Sequence, residues 1–288
     1  MPVSKAEQIK KAEAFRGMHS GPEPLVLVNA WDSASARVVE ELGFPAVATT
    51  SAGIAFSHGF PDGQRIHPDE MMATVAQIAN SVHLPVSADV EAGYGDSPER
   101  AAETARQVIL TGAVGMNFED ATGNAGLPLF DMTLQVERIR GIREAANQMG
   151  IPLGLNARTD MYLLQVGEPG TRYDETVRRL TAYRDAGADC VFAPGIRDRE
   201  TIGRLVKDVG CPLNILAVPG SPSIPEMKAF GVKRVSLGSG PMRAAMGLLR
   251  KLAAEIKSRG TYALMDDAPS HAEMNQLMNA NLQPATEK

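Results

Sequence analysis

Cysteine is scarce: the 288 residues contain two, Cys190 and Cys211. Each lies beside an apolar run and neither has the paired spacing of a zinc site, so two buried thiols in a reducing compartment are expected. Basic runs are missing as well. The formal net charge is -5 and the pI about 5.6, with no clustered Lys/Arg face to neutralise phosphates, which argues against a nucleic-acid partner. The overall field does not attract anions, so a small carboxylate has to be captured by local groups. No apolar run is long enough to span a bilayer. Met1 to Arg16 is charged and helical in pattern, without the apolar centre of a signal peptide. A cytoplasmic protein with no membrane partner is expected. No Gly-x-Gly-x-x-Gly follows the first strand-like run, which weighs against a dinucleotide-binding sheet.

What is present is alternation. Short runs rich in Val, Ile, Leu and Ala occur at Leu25–Ala30, Ala46–Ser51, Leu84–Val90, Gly115–Glu119, Leu153–Arg158, Cys190–Ala193, Leu213–Val218 and Arg234–Gly238. Such runs suit strands of a parallel sheet covered on both faces. Between them lie amphipathic stretches at Ser33–Leu42, Pro68–Val82, Pro98–Thr111, Leu134–Met149, Tyr173–Ala186, Arg199–Val209, Pro225–Phe230 and Pro241–Arg259. Ser97-Pro98-Glu99 supplies an N-cap, a proline at the first helical position and an acid in the first turn. Gly43, Gly112, Gly150, Gly187 and Gly231 stand where helices close. Eight βα units without a break in composition predict an α/β fold of the closed (β/α)8 type, one domain over residues 1–288. Helical extensions are expected at 1–20 and 262–288. In the latter, Ser270 and Glu273 form a capping box, and Met274, Leu277, Met278 and Leu282 share one face. That helix either packs on its own barrel or is exchanged with a neighbouring subunit.

Side chains at the carboxyl ends of barrel strands face the active-site mouth. The third strand delivers Asp89 and Glu91 there, alternating with small residues, and Gly93 and Gly95 allow a sharp turn. The fourth adds Glu119 and Asp120. The second leads through Thr50, Ser51 and Ala52 to a loop with Asp62, and the fifth ends at Arg158 and Asp160. Carboxylates gathered from adjacent strands repel one another unless a cation sits among them. Oxygen ligands with few direct carboxylates suit Mg²⁺, with Mn²⁺ the alternative ion. Arg158 can then clamp a substrate carboxylate. The competing reading is that these acids cap helices or pair with arginine, and for Asp120 the two readings weigh equally. His58 and His67 are lesser acid/base candidates, better read as solvated loop residues. Gly238-Ser239-Gly240 is either a phosphate loop or a tight turn. Asp32 reads as an N-cap, and Trp31 can wall the pocket.

These segments carry a resemblance. Asp89-Val-Glu91-Ala-Gly93-Tyr94-Gly95 resembles the Asp-x-Asp-x-Gly-Tyr-Gly segment of the isocitrate lyase and phosphoenolpyruvate mutase superfamily. Phe118-Glu119-Asp120 resembles its Ile-Glu-Asp segment, and Ala157-Arg158-Thr159-Asp160 its Ala-Arg-Thr-Asp segment. Thr50-Ser51-Ala52-Gly53 and Gly59-Phe60-Pro61-Asp62 resemble its substrate loop and supporting Asp. The likeness runs from about Asn29 to Ala245. It implies a (β/α)8 barrel, a tetramer with swapped eighth helices, Mg²⁺, and 2-oxo acid substrates that pass through a pyruvate-enolate-like state. It further implies Asp89 as direct metal ligand, with Glu91 and Glu119 acting through water and Asp62 supporting them. Thr50, Ser51, Ala52 and Arg158 would then hold the substrate.

This chain departs from the pattern in one loop. The lyases have Lys-x-Cys-Gly after the fourth strand, and the mutases and phosphonopyruvate hydrolases also use a Lys there. Here the loop Ala121 to Pro128 has neither, and Asn124 is the polar residue left to stand in for them. The lyases' Glu after the sixth strand is also missing near Pro194 and Gly195, and Glu91 replaces the usual Asp. The expected function is Mg²⁺-dependent cleavage of a carbon–carbon bond next to a 2-oxo acid, of the lyase or oxaloacetate decarboxylase/hydrolase type. Two alternatives stand beside it: C–P chemistry on phosphonopyruvate-like substrates, and a non-catalytic 2-oxo acid binding protein.

Overall fold

The computed structural model describes residues 4–279. Helix α1 (Lys5–Met18) leads into β1 (Leu25–Leu27) and β2 (Asn29–Ala30), which Val28 alone separates. There follow α2 (Ser33–Glu41), β3 (Val47–Thr49), α3 (Ser51–Ser57), α4 (Pro68–Ser81), β4 (Val86–Asp89), α5 (Pro98–Leu110) and β5 (Gly115–Glu119). A hairpin of β6 (Ala121–Asn124) and β7 (Leu127–Leu129) precedes α6 (Met132–Met149) and β8 (Gly154–Arg158). The chain continues through α7 (Pro169–Asp185), β9 (Cys190–Phe192), α8 (Arg199–Val209), β10 (Leu213–Leu216), α9 (Ile224–Phe230), β11 (Arg234–Ser236), α10 (Gly240–Arg259) and α11 (His271–Asn279).

The main sheet runs β1-β11-β10-β9-β8-β5-β4-β3-β2, and every pairing in it is parallel. Its two ends are β1 and β2, two parts of one strand. The lower part bonds to β11 and the upper to β3, so the sheet closes on itself. This is the expected (β/α)8 barrel. The strand interiors are buried throughout, as expected for strands sandwiched between a filled barrel and a ring of helices.

The N-terminal extension has a specific job. Helix α1 starts at Ser4, whose hydroxyl accepts from Glu7 N, and lays Phe15 across the amino end of the barrel. Gly115 and Gly154 open β5 and β8. A Cβ on Gly115 would stand 2.6 Å from the Phe15 ring, and one on Gly154 2.8 Å. Only hydrogen at those positions lets the ring seat, so Phe15 plugs the barrel floor from below.

Several elements differ from the sequence expectation. Helix α3 falls where a loop was expected, because seven residues are too few to show a period; Thr50 caps it, accepting from Gly53 N at 3.2 Å. Helix α7 begins four residues early, at Pro169, a residue suited to the first helical turn. The segment after β5 folds as a hairpin. Helix α10 stands off the barrel: Met242 is its one buried residue, while Met246, Leu248, Leu249 and Ile256 are exposed. Helix α11 forms as expected, with Ser270 and Glu273 capping reciprocally. It lies against α2 of the same chain, where Arg37 donates to the carbonyls of Leu277 and Met278. Leu282, assigned to the same apolar face, lies outside the described residues. Among the described residues no helix is long and apolar enough to cross a membrane.

Candidate functional site

A cavity of about 310 Å³ opens at the carboxyl ends of the strands, and Asp62, Asp89, Arg158, Thr50, Ser51 and Ala52 all line it. Asp89 ends β4. Its Oδ2 accepts from Ser51 N at 3.0 Å and Ser51 Oγ at 2.8 Å, and its Oδ1 accepts from Asn117 Nδ2 at 2.8 Å. Its own N–H donates to Thr49 Oγ1 at 2.8 Å. A carboxylate offers about four acceptor positions, so roughly one remains on Oδ1.

Glu91 reaches the site by a different route from the one strand alternation predicts. The strand ends at Asp89, and Glu91 is left-handed, with φ +52°. Tyr94 (φ +56°) and Gln64 (φ +58°) share that strained conformation, which costs on the order of 1–3 kcal/mol for each non-glycine residue. The three are tied together. Gln64 N donates to Glu91 Oε2 at 2.7 Å, and Tyr94 N donates to Gln64 Oε1 at 2.5 Å. Glu91 Oε1 is buried without a partner. Burial, then Asp62, then Asp89 push the Glu91 carboxyl up to about 8. Asp62, at the rim, is raised by desolvation in the mouth and by Asp89. Glu119 is buried and raised well above the ordinary carboxylate range by desolvation, with Arg158 opposing and Asp160, Asp89 and Glu91 adding to it.

Arg158 is already well compensated. Its Nη1 lies 2.7 Å from Glu119 Oε2, while Nε and Nη2 clasp Asp160 at 2.5 and 2.8 Å. Asp120, by contrast, is structural. It is fully buried, accepts from Thr159 Oγ1, Asp160 N and the Tyr183 hydroxyl, and pairs with Arg179 at 3.1 Å. Pairing with arginine is the reading that holds for it.

Among the described residues no group of three His, Cys, Asp or Glu side chains is close enough to hold a metal ion unaided. The acids nevertheless crowd one another electrostatically, since Asp62 and Asp89 raise Glu91, and Asp89 and Glu91 raise Glu119. The orphaned Glu91 Oε1 and the spare acceptor on Asp89 supply oxygen donors of the hard type. One direct carboxylate with the others reached through water suits Mg²⁺, which keeps several of its own waters. The residues present therefore fit such an ion.

Four expected site residues do not line the cavity: Glu91 and Glu119 are buried, and Asn124 and Trp31 lie elsewhere. Asn124 is exposed in the hairpin and does not line the cavity; its Oδ1 accepts from Gly126 N at 2.9 Å, closing a local turn. Trp31 packs beside Gly53 and walls a neighbouring apolar groove with Val28, Val39 and Pro241. Of the lesser candidates, His58 closes α3 and meets Thr74 Oγ1 at 3.1 Å, and His67 caps α4. Gly238 and Ser239 do line the cavity, and Asn29 Oδ1 gathers the amides of Leu237 and Gly238. Sequence reasoning passed over Gln64, Asn117, Asn156, Asn214, Arg234 and Arg243. For Asn117, Asn156 and Asn214 a signal existed: each is a lone amide with apolar residues on either side of it in its strand.

Residues 15–257 match the phosphoenolpyruvate phosphomutase family. A crystal structure from Burkholderia cenocepacia J2315, provisionally assigned as a lyase/mutase, is 41% identical, with a TM-score of 0.90 over 96% of this chain and 98% of that one. The crystal structure of a 2,3-dimethylmalate lyase, described as a PEP mutase/isocitrate lyase superfamily member, is 30% identical, with a TM-score of 0.83 over 94% and 96% of the two chains. The oxaloacetate decarboxylase of Bradyrhizobium diazoefficiens is 27% identical over 82% of this chain and 81% of its own.

Proposed function

Because this chain belongs to the phosphoenolpyruvate phosphomutase family and is an enzyme of that superfamily, we propose that it breaks a carbon–carbon bond adjacent to the carbonyl of a small 2-oxo acid, with Mg²⁺ or Mn²⁺ as cofactor. Asp89 would hold the ion directly, Glu91 and Glu119 through water, with Asp62 at the rim supporting them. Held there, such an ion would supply Lewis-acid polarisation of the substrate carbonyl and charge stabilisation as the bond breaks. The chain's own residues orient the substrate. Ser51 fixes Asp89 by two hydrogen bonds. Ala52 sits in the first turn of α3, where main-chain N–H groups have no intrahelical acceptor and can face a carboxylate. Arg158 spends three N–H groups on Glu119 and Asp160, leaving about two of its five for the substrate. The two acids hold the guanidinium rigid, so little side-chain entropy is lost when substrate binds.

The observation that carries this reading is a single cavity at the carboxyl ends of the strands lined by Asp62, Asp89 and the compensated Arg158, with the buried Glu91 and Glu119 near enough to feel the charge of Asp89. The oxaloacetate decarboxylase and 2,3-dimethylmalate lyase relatives support the choice of carbon–carbon over carbon–phosphorus cleavage. The test is release of pyruvate, another 2-oxo acid or oxalate, with and without Mg²⁺, from oxaloacetate, 2-methylisocitrate, 2,3-dimethylmalate and phosphonopyruvate. Turnover of oxaloacetate supports the proposal, and turnover of 2-methylisocitrate or 2,3-dimethylmalate, 2-hydroxy acids, supports carbon–carbon cleavage with the 2-oxo acid as product in place of substrate. Turnover of phosphonopyruvate alone, or oxalate binding without turnover of any substrate, refutes it. The protein is further proposed to be a cytoplasmic homo-oligomer: the apolar residues exposed on α10 need a second copy to cover them.

A further inference from the structure

The cavity wall carries three polar atoms without a hydrogen-bond partner among the described residues. Arg234 on β11 is 2% exposed, and among the described residues no carboxylate pairs with it. Its Nη2 meets Ser87 Oγ at 3.4 Å, the Phe15 ring lies 5.8 Å away, and its Nε has no acceptor. Asn214 is its neighbour in register on β10. Asn214 Nδ2 donates to Ser236 Oγ at 3.1 Å, while its Oδ1 has no donor. Asn156 on β8 donates through Nδ2 to Asn117 Oδ1 at 2.8 Å, and its Oδ1 also has no donor. All three residues line the same cavity.

The orientation of the two linked amides is forced. An ionised carboxylate only accepts, so Asn117 must turn its NH₂ to Asp89 Oδ1 and its oxygen to Asn156. Asn156 must then present its own NH₂ to Asn117, which leaves its oxygen facing away from the chain. Turning either amide over would set two acceptors against each other. One unsatisfied donor and two unsatisfied acceptors match what a single water can satisfy, accepting from Arg234 Nε–H and donating to both asparagine oxygens.

We propose that Arg234 is a positioning residue for Asp89, acting through a buried water that joins its Nε to Asn156 Oδ1 and Asn214 Oδ1. The chain then runs Arg234, water, Asn156, Asn117, Asp89, with each N–H or O–H dipole pointing toward the carboxylate. Such aligned bonds polarise one another, and the buried guanidinium gains a distant countercharge. The relay holds Asp89 in one rotamer, with a spare acceptor position on Oδ1. Its functional meaning rests on the reading of Asp89 as the cation ligand.

The experiment pairs crystallography at a resolution that shows waters with Mn²⁺ calorimetry on wild type, Arg234→Met, Arg234→Lys, Asn156→Leu and the Arg234→Met/Asn156→Leu double variant. Wild-type crystals should show a water within hydrogen-bond distance of all three atoms, and Asn156→Leu crystals should lack it. Each single removal should weaken Mn²⁺ binding about tenfold, the equivalent of one net hydrogen bond. The double variant should bind no worse than the weaker single variant, because both act through one chain. Arg234→Lys should recover part of the loss. No water in the wild type, losses that multiply in the double variant, or single variants that bind like wild type would each overturn the proposal. Should Arg234→Met not fold, Asn156→Leu decides it alone. A wild type that holds the water but binds no Mn²⁺ refutes the metal assignment separately, and the crystals still decide the relay.

Discussion

The plug at the barrel floor yields a prediction whose size follows from the structure. Phe15 is fully buried, and Phe15→Ala should destabilise the protein by about 3–5 kcal/mol through lost burial and an unfilled cavity. The ring also meets His19 edge-on with centroids 5.1 Å apart and faces the Arg234 guanidinium at 5.8 Å, contacts worth about 1 kcal/mol more. Against a usual total of about 5–15 kcal/mol, that leaves a marginal protein. The converse change is Gly154→Ala, which drives a Cβ to 2.8 Å from the ring and should cost about 1–3 kcal/mol by overpacking. Phe15→Leu withdraws the ring edge that the new methyl meets. The double variant Phe15→Leu/Gly154→Ala should therefore be more stable than the sum of the two single losses by at least about 1 kcal/mol. Urea unfolding followed through Trp31, the sole tryptophan, measures the wild type and all four variants. A Phe15→Ala loss below about 1 kcal/mol, or strict additivity in the double variant, would refute the account of the plug.

Four further outcomes are expected. Asp89→Ala should abolish Mg²⁺-dependent oxalate binding with circular dichroism unchanged, and calorimetry showing wild-type affinity would remove Asp89 from the metal site. Burial, with Arg234 next, lowers the His19 imidazole from 6.5 to about 4, while Phe15 O and Asp189 partly oppose the shift. The unfolded chain therefore takes up the proton first, and roughly 3 kcal/mol of stability present above pH 6.5 should be lost as pH falls through 6.5 toward 4. His19→Leu should flatten that window, and equal slopes in both proteins would contradict the assignment. The β6–β7 hairpin, exposed around Gly123 to Leu127 and adjoining Glu119, should be cut by protease more readily than the rest and protected by Mg²⁺ plus oxalate. Equal cleavage with and without ligand would count against a gating role. Light scattering should find a homo-oligomer, a tetramer by family resemblance, that weakens when exposed apolar residues of α10 such as Leu248 and Leu249 are replaced by Gln; a monomer at micromolar concentration would rule this out.

The architecture was legible because a parallel barrel imposes one repeating demand on the chain. Each strand is buried on both faces and each helix on one, so apolar runs and amphipathic stretches alternate eight times, and Gly115–Glu119 and Arg199–Val209 fall where the pattern put them. Asp89, Ser51 and Arg158 were legible for a related reason, since strand ends point into the mouth, and Asp62 through the resemblance its loop carries. What alternation misjudged was Glu91, whose approach depends on a left-handed backbone held by Gln64, a residue 27 positions earlier. Asn124 was chosen by its place in the loop, and its side chain turned out to be spent on the hairpin's own turn.

The sequence by itself determined the order of elements, their burial periodicity and the set of acids delivered to one end of the barrel. These are properties of local geometry, which repeats every two or 3.6 residues. Tertiary structure alone decided which acid pairs with which base. Asp120 and Glu119 are adjacent in the chain, yet their side chains diverge: one is taken by Tyr183 and Arg179 behind the strands, the other meets Arg158 inside the barrel. It also decided that Phe15 meets Gly115 and Gly154, and that Arg234 on the last strand shares a cavity with Asp89 on the third. Such juxtapositions bring together residues far apart in the chain, Phe15 and Gly154 among them, and no local period encodes them; they exist because the sheet closes.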